Sequence, residues 1–181
     1  MKVSASTSKL LRVKTSAWII DCKEALEKNN GDLTKAEEFL KSKGIATAAK
    51  KASRETNEGL IESYIHNGGK VGSIVEISCE TDFVARTKDF KLLAHDLAMQ
   101  VAAMNPKVIE ISDSNKEDDI NEDEDVLLKQ TFIKDPEISI NDLIQQTIVK
   151  VGENIKVRRF TRFSLGDWKY WNLQQNIQES F

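Results

Sequence analysis

Apolar residues recur with a period of two from Val71 to Cys79, interrupted by Ser73, then at every third or fourth position from Phe90 onward. Val71, Val75, Ile77 and Cys79 alternate with Gly72, Glu76, Ser78 and Glu80, the period of a half-buried strand. Phe90, Leu93, Ala94, Leu97, Ala98, Val101 and Met104 form the apolar stripe of a helix, with Asp89, Lys91, Asp96 and Gln100 on its polar side. The residues between, Glu80 to Arg86 (ETDFVAR), are therefore a strand-to-helix junction. Thr81 is suited to cap a first turn containing Asp82, and Thr87 to cap the longer helix. Phe83 and Val84 belong to neither apolar register. Either Phe83 plugs the end of the core, the usual fate of an aromatic near a strand end, or it protrudes with Asp82 as an acid-aromatic pair.

The same reading organises the rest of the chain. Ser8 caps a helix carrying Leu10, Leu11 and Val13. After a break at Thr15 to Ala17, a second helix carries Ile19, Ile20, Cys22, Ala25 and Leu26. Asn29 to Gly31 form a turn. Asp32 caps a third helix with Leu33, Ala36, Phe39 and Leu40, ended by Gly44, and Ala46 to Arg54 follow as a basic helical connector. Leu60 to His66 and the Val71 strand flank Asn67-Gly68-Gly69, which is hairpin chemistry. Asn105-Pro106 stops the long helix.

Asp113 to Asp125 is strongly acidic and reads as a solvated or disordered loop: Asp113, Glu117, Asp118, Asp119, Glu122, Asp123, Glu124 and Asp125 are opposed only by Lys116. Ser139 and Asp142 frame the start of a helix with Leu143, Ile144, Thr147, Ile148 and Val151, closed by Gly152. A last strand lies within Gly152 to Gly166, with Ile155, Val157, Phe163 and Leu165 on one face and Phe160 on the other. The expected architecture is α+β: a three-helix unit over 1–51, an antiparallel-sheet core with packed helices over 52–166, and a tail over 167–181 bearing Trp168, Tyr170, Trp171 and Phe181.

Composition narrows the function classes. A chain of 181 residues with 40% hydrophobic and 30% charged content holds one substantial core plus an appendage. Its net charge of -3 argues against coating nucleic acid, and no apolar run is long enough for a signal peptide or membrane span. Cys22 and Cys79 lie in apolar registers without paired spacing or a nearby histidine, so neither a zinc site nor a disulfide framework is read. The acidic stretch lacks the glycine that a calcium-binding EF-hand loop requires, so no metal site is expected. His66 and His95 sit in no catalytic motif, and no phosphate-binding glycine loop occurs; neither an enzyme nor a cofactor site is expected. Arg158, Arg159, Phe160, Arg162 and Phe163 support an alternative, an RNA-binding strand in which aromatics stack bases and arginines hold phosphates.

ETDFVAR on such a junction, followed by such a helix, resembles the signature of the elongation factor Ts family. LRVKTSAWIIDCKEALEKNNGDLTKAEEFLKSKGIATAAKKASRE is similar to that family's amino-terminal domain, and LLKQTFIKD and GENIKVRRFTRF resemble the rest of its core. The likeness runs in family order from about Lys9 to Gly166. It implies a ubiquitin-associated-like fold for the first unit, docking on the G domain of elongation factor Tu through Ile19, Ile20 and Lys23. It also implies that Thr81, Asp82, Phe83 and Val84 form a wedge that loosens the partner's magnesium and GDP. That is a guanine nucleotide exchange factor of the bacterial cytoplasm or plastid stroma, with no catalytic residues. Longer family members carry two core halves, so this single half implies a homodimer through its last strand.

Two departures stand out: Ser16 and Trp18 occupy positions where the family usually has glycines, and the stretch between Pro106 and Leu127 is abbreviated. The resemblance favours the protruding reading of Phe83 and a sheet role for the final strand.

Overall fold

The computed structural model describes residues 4–15, 17–113 and 119–167. Ser16, Lys116, Glu117, Asp118 and the tail aromatics Trp168, Tyr170, Trp171 and Phe181 lie outside the described residues.

Helices α1 (Ala5–Thr15), α2 (Ile19–Lys28) and α3 (Leu33–Lys51) enclose a small core of Leu11, Cys22, Ala25, Leu26, Ala36 and Leu40. Asp32 caps α3 by accepting the Lys35 N–H at 3.1 Å. Ser8 is not a cap. It lies buried inside α1 with its hydroxyl donating to the Ser4 carbonyl, while Ser4 Oγ accepts the Thr7 N–H at 3.1 Å. Leu10 and Val13 face solvent, because α1 has neighbours on one side only.

Gly44 does not end α3, and the expected connector is largely the last turns of this helix. A Cβ at Gly44 would stand 3.4 Å from Val149 Cγ2, so the glycine marks the close crossing of α3 with α7 (Ile140–Val151). One turn later Ala48 already belongs to the larger core, so α3 serves both clusters.

The larger core is built on a three-stranded antiparallel sheet of order β1 (Glu58–Ile65), β2 (Val71–Cys79), β5 (Ile155–Ser164). Gly68 and Gly69 have φ of 89° and 68°, values that allow the tight return between β1 and β2. Helix α5 (Lys88–Met104) and α7 cover one face, packing Phe90, Leu97, Val101, Ile144 and Ile148 against Val75 and Ile77. A short hairpin, β3 (Thr131–Phe132) and β4 (Asp135–Ser139), leads into α7. There Ser139 and Asp142 make a full capping box, and Gly152 ends the helix at φ 80°.

Three further expectations are corrected. Along β5, Val157 opposes Ile77 but Arg159 opposes Glu76, so Arg158 is the extra residue of a bulge. One inserted residue inverts the alternation. Phe160 therefore packs, partly buried, against the core on the same side as Val157, and Phe163 and Leu165 face solvent.

On α5, Asp96 and Gln100 are buried rather than solvated. Lys134 reaches Asp96 at 2.6 Å, and Gln100 bonds Gln130, the Thr131 carbonyl and the Ile133 N–H at 3.0–3.1 Å. The third correction concerns the acidic stretch, which is anchored at its far end. Glu122–Asp125 form one helical turn (α6), the Asp125 carbonyl accepts the Lys107 and Val108 N–H groups, and Val126 and Leu127 are buried. The Lys107 ammonium, 3.0 Å away, is the main reason the Asp125 carboxyl lies below its ordinary range.

Candidate functional site

At the end of β2 the chain turns sharply. Thr81 is extended, and Asp82–Ala85 make one helical turn, α4, before Thr87 caps α5 through the Phe90 N–H at 3.3 Å. Thr81 Oγ1 faces the Val84 N–H at 3.5 Å as the cap of α4. Val84 and Ala85 go inward and close the core. Phe83, immediately before them, is turned outward and is 79% exposed. The turn thus fixes opposite fates for adjacent apolar residues, one anchoring the corner and one standing off it. Asp82 is half-buried, its carboxylate paired with Arg86 at 2.7 Å one turn on.

Polar contacts from distant parts of the chain hold this corner. Both carboxylate oxygens of Glu153 face Thr81, accepting its hydroxyl at 2.7 Å and its N–H at 3.0 Å. Glu80 accepts the Asn154 N–H at 2.6 Å and lies 3.4 Å from the Arg54 guanidinium. The Asn154 side chain donates to the carbonyls of Ala52 and Arg54. The buried Cys79 thiol donates to the Thr81 carbonyl at 3.1 Å, and burial, aided by the Glu153 charge, raises its pKa to about 11. It remains a neutral packing group at physiological pH. Sequence reading found the junction but not Glu153, Asn154 or Arg54, because those contacts span 26 to 102 residues and carry no local signal.

A second exposed apolar surface lies on the helical unit. Ile20 is 78% exposed at the start of α2, Ile19 is also exposed, and Lys23 follows on the same helix with its ammonium 3.8 Å from Glu27. Trp18 precedes them, largely exposed, at φ -61° and ψ 143°. That conformation is ordinary for any L-residue, so the absence of glycine there imposes no backbone strain.

The basic-aromatic strand is mostly turned to internal work. Arg158 donates to Ser78 Oγ, Thr56 O and Thr56 Oγ1 at 2.6–2.8 Å. Arg159 pairs with Glu76 at 2.6 Å, Arg162 bonds the Ala102 carbonyl at 3.0 Å, and Phe160 packs against the core. The two histidines meet on Tyr64, whose hydroxyl is 3.0 Å from His66 Nδ1 and whose ring makes an edge contact with His95. Among the described residues, no group of three or more His, Cys, Asp or Glu side chains could hold a metal ion. None of the described helices is long and apolar enough to cross a membrane.

Together these elements define an α+β protein in which a helical unit and an antiparallel-sheet core each expose apolar side chains on a firmly held turn or helix end. The chain belongs to the elongation factor Ts family, and so to the translation elongation factors of protein biosynthesis. The family model described as Elongation factor TS matches residues 46–125, which include the whole junction. The chain is 44% identical to Elongation factor Ts of Desulfosudis oleivorans, covering 91% of this chain and 98% of that protein. It is 45% identical to Elongation factor Ts of Fervidobacterium nodosum, with 92% and 100% covered, and 46% identical to that of Rippkaea orientalis, with 92% and 79% covered. These alignments extend over 195 and 197 positions, more than the 181 residues here, so the relatives carry residues that this chain lacks.

Proposed function

We propose that the chain is a guanine nucleotide exchange factor that binds elongation factor Tu and accelerates its release of GDP. The exposure of Phe83 on a turn whose neighbours are all anchored carries this reading, since an exposed aromatic on a rigid corner is a ready-made anchor for a partner pocket. In this proposal Ile19, Ile20 and Lys23 dock on the G domain, and Thr81, Asp82, Phe83 and Val84 act at the nucleotide site. Phe83 enters an apolar gap beside the partner's phosphate and magnesium site, with Asp82 alongside it and Val84 holding the turn from below. Arg86 must give up Asp82 if that carboxylate is to reach a partner group.

No bond is made or broken. If the factor binds nucleotide-free partner more tightly than the GDP form, bound nucleotide must weaken the factor's binding by the same ratio, and GTP entry expels it. The place of action is wherever that partner works, a bacterial cytoplasm or a plastid stroma. The test is release of fluorescent GDP from elongation factor Tu with and without the chain. Acceleration supports the reading, and an unchanged rate refutes it.

The proposal includes self-association. The sheet face away from α5 carries Ile61, Ile65, Ile74 and Phe163 at its surface, and a twofold-related copy would cover them. Light scattering at micromolar concentration should give the mass of a dimer, and Phe163→Glu should give a monomer. A monomeric full chain that dimerises once residues after Gly166 are removed would show instead that the tail covers this face.

A further inference from the structure

We propose that Glu153 is a positioning residue for the nucleotide-release turn: it holds Thr81 so that Phe83 is presented in a single orientation before any partner arrives. The inference rests on the function proposed above for that turn. Glu153 follows the glycine that ends α7, and its carboxylate is the group that faces both the Thr81 hydroxyl and the Thr81 N–H, at 2.7 and 3.0 Å. A hydroxyl has one proton. By drawing it, Glu153 leaves the lone pairs of Thr81 Oγ1 to face the Val84 N–H, which is the contact that starts α4.

The loop itself is fixed. The Gly152 carbonyl takes the Lys51 ammonium at 2.6 Å, the Asn154 N–H donates to Glu80 at 2.6 Å, and the Asn154 amide spans the Ala52 and Arg54 carbonyls. Residues on both sides of Glu153 are thus tied to α3, to the connector after it and to the end of β2. The carboxylate acts as a stop set from the frame rather than a side chain that follows the turn. Phe83 is two residues beyond Thr81 and itself exposed, so its direction depends on the backbone of α4. A turn that already holds its bound shape loses less conformational freedom on docking, which favours the release step more than the first encounter.

Glu153→Gln tests this, because the two Thr81 donors are accepted by separate carboxylate oxygens, and an amide replaces one of those oxygens with an NH2 group that can only donate. The nucleotide-release rate at saturating factor should fall about tenfold, from loss of a charge-assisted bond. The factor concentration giving half-maximal release should change less than about twofold, since docking through α2 is untouched. Hydrogen exchange at the Val84 and Ala85 amides should quicken about tenfold while the amides of α5 keep their protection. A double-mutant cycle with Thr81→Val should be non-additive, the second substitution adding less than about twofold.

An unchanged release rate in Glu153→Gln, with Phe83→Ala impaired, would overturn this inference and leave the exchange function standing. Impaired release with unaltered Val84 and Ala85 exchange would overturn it as well, by showing that Glu153 acts through another route. If the unmodified chain does not accelerate release, the exchange reading itself fails, and if Phe83→Ala alone has no effect, the role given to Phe83 fails; the amide-exchange arm, which needs no partner, still reports whether Glu153 orders the turn.

Discussion

Replacing Phe83 with alanine separates an anchor from a core residue. The side chain is 79% exposed, so folding withdraws about a fifth of its roughly 200 Å² from water, on the order of 40 Å². At about 25 cal/mol per Å² that is ~1 kcal/mol of stability, worth about 2–4 °C in melting temperature for a protein of this size. Phe90, seven residues on, has no exposed surface, and Phe90→Ala should cost about 3–5 kcal/mol through the cavity it leaves.

The expected order on exchange is reversed. A truncated hot spot costs ~2 kcal/mol or more of interaction free energy, so Phe83→Ala should slow GDP release from elongation factor Tu about 30-fold. Urea unfolding of the two variants, paired with fluorescent-GDP release normalised to folded protein, gives both quantities. A loss above about 3 kcal/mol for Phe83→Ala with release preserved per folded molecule would make Phe83 a core residue and refute the reasoning.

Gln100→Leu should destabilise the protein by ~3 kcal/mol in urea unfolding, because the Gln130 amide, the Thr131 carbonyl and the Ile133 N–H would each lose a partner. A cost below about 1 kcal/mol would mean that water replaces the amide there. Glu24 has its carboxyl pKa lowered from 4.5 to about 2 by bonds to Lys28 and then Lys43. Such a depressed group stabilises the fold above its unfolded value and loses that contribution as pH falls toward 2. The melting-temperature gap between wild type and Glu24→Gln should therefore shrink steadily from pH 5 downward. A gap independent of pH would rule out the ion-paired state of Glu24 as its source.

What the sequence determined by itself was local: the elements whose period and punctuation agree. Val75, Ile77 and Cys79 announced a strand, Thr81, Thr87 and Asp32 announced caps, and Ser139 with Asp142 announced a capping box, because each acts over a few residues. The junction was legible for the same reason, as a change of period with a cap on either side.

Where those periods break was set by long-range packing. The bulge at Arg158 exists because that guanidinium finds Thr56 and Ser78 across the sheet, and it inverts the facing of Phe160 and Phe163. Gln100 can be buried on a polar register because Gln130, Thr131 and Ile133 come to meet it, and Gly44 lies inside a helix because α7 crosses there. Likewise Thr81 is a helix cap by its type, but its hydroxyl is aimed by a carboxylate 72 residues away. Such partners are chosen by the packing of the whole chain, and no window of neighbouring residues contains them.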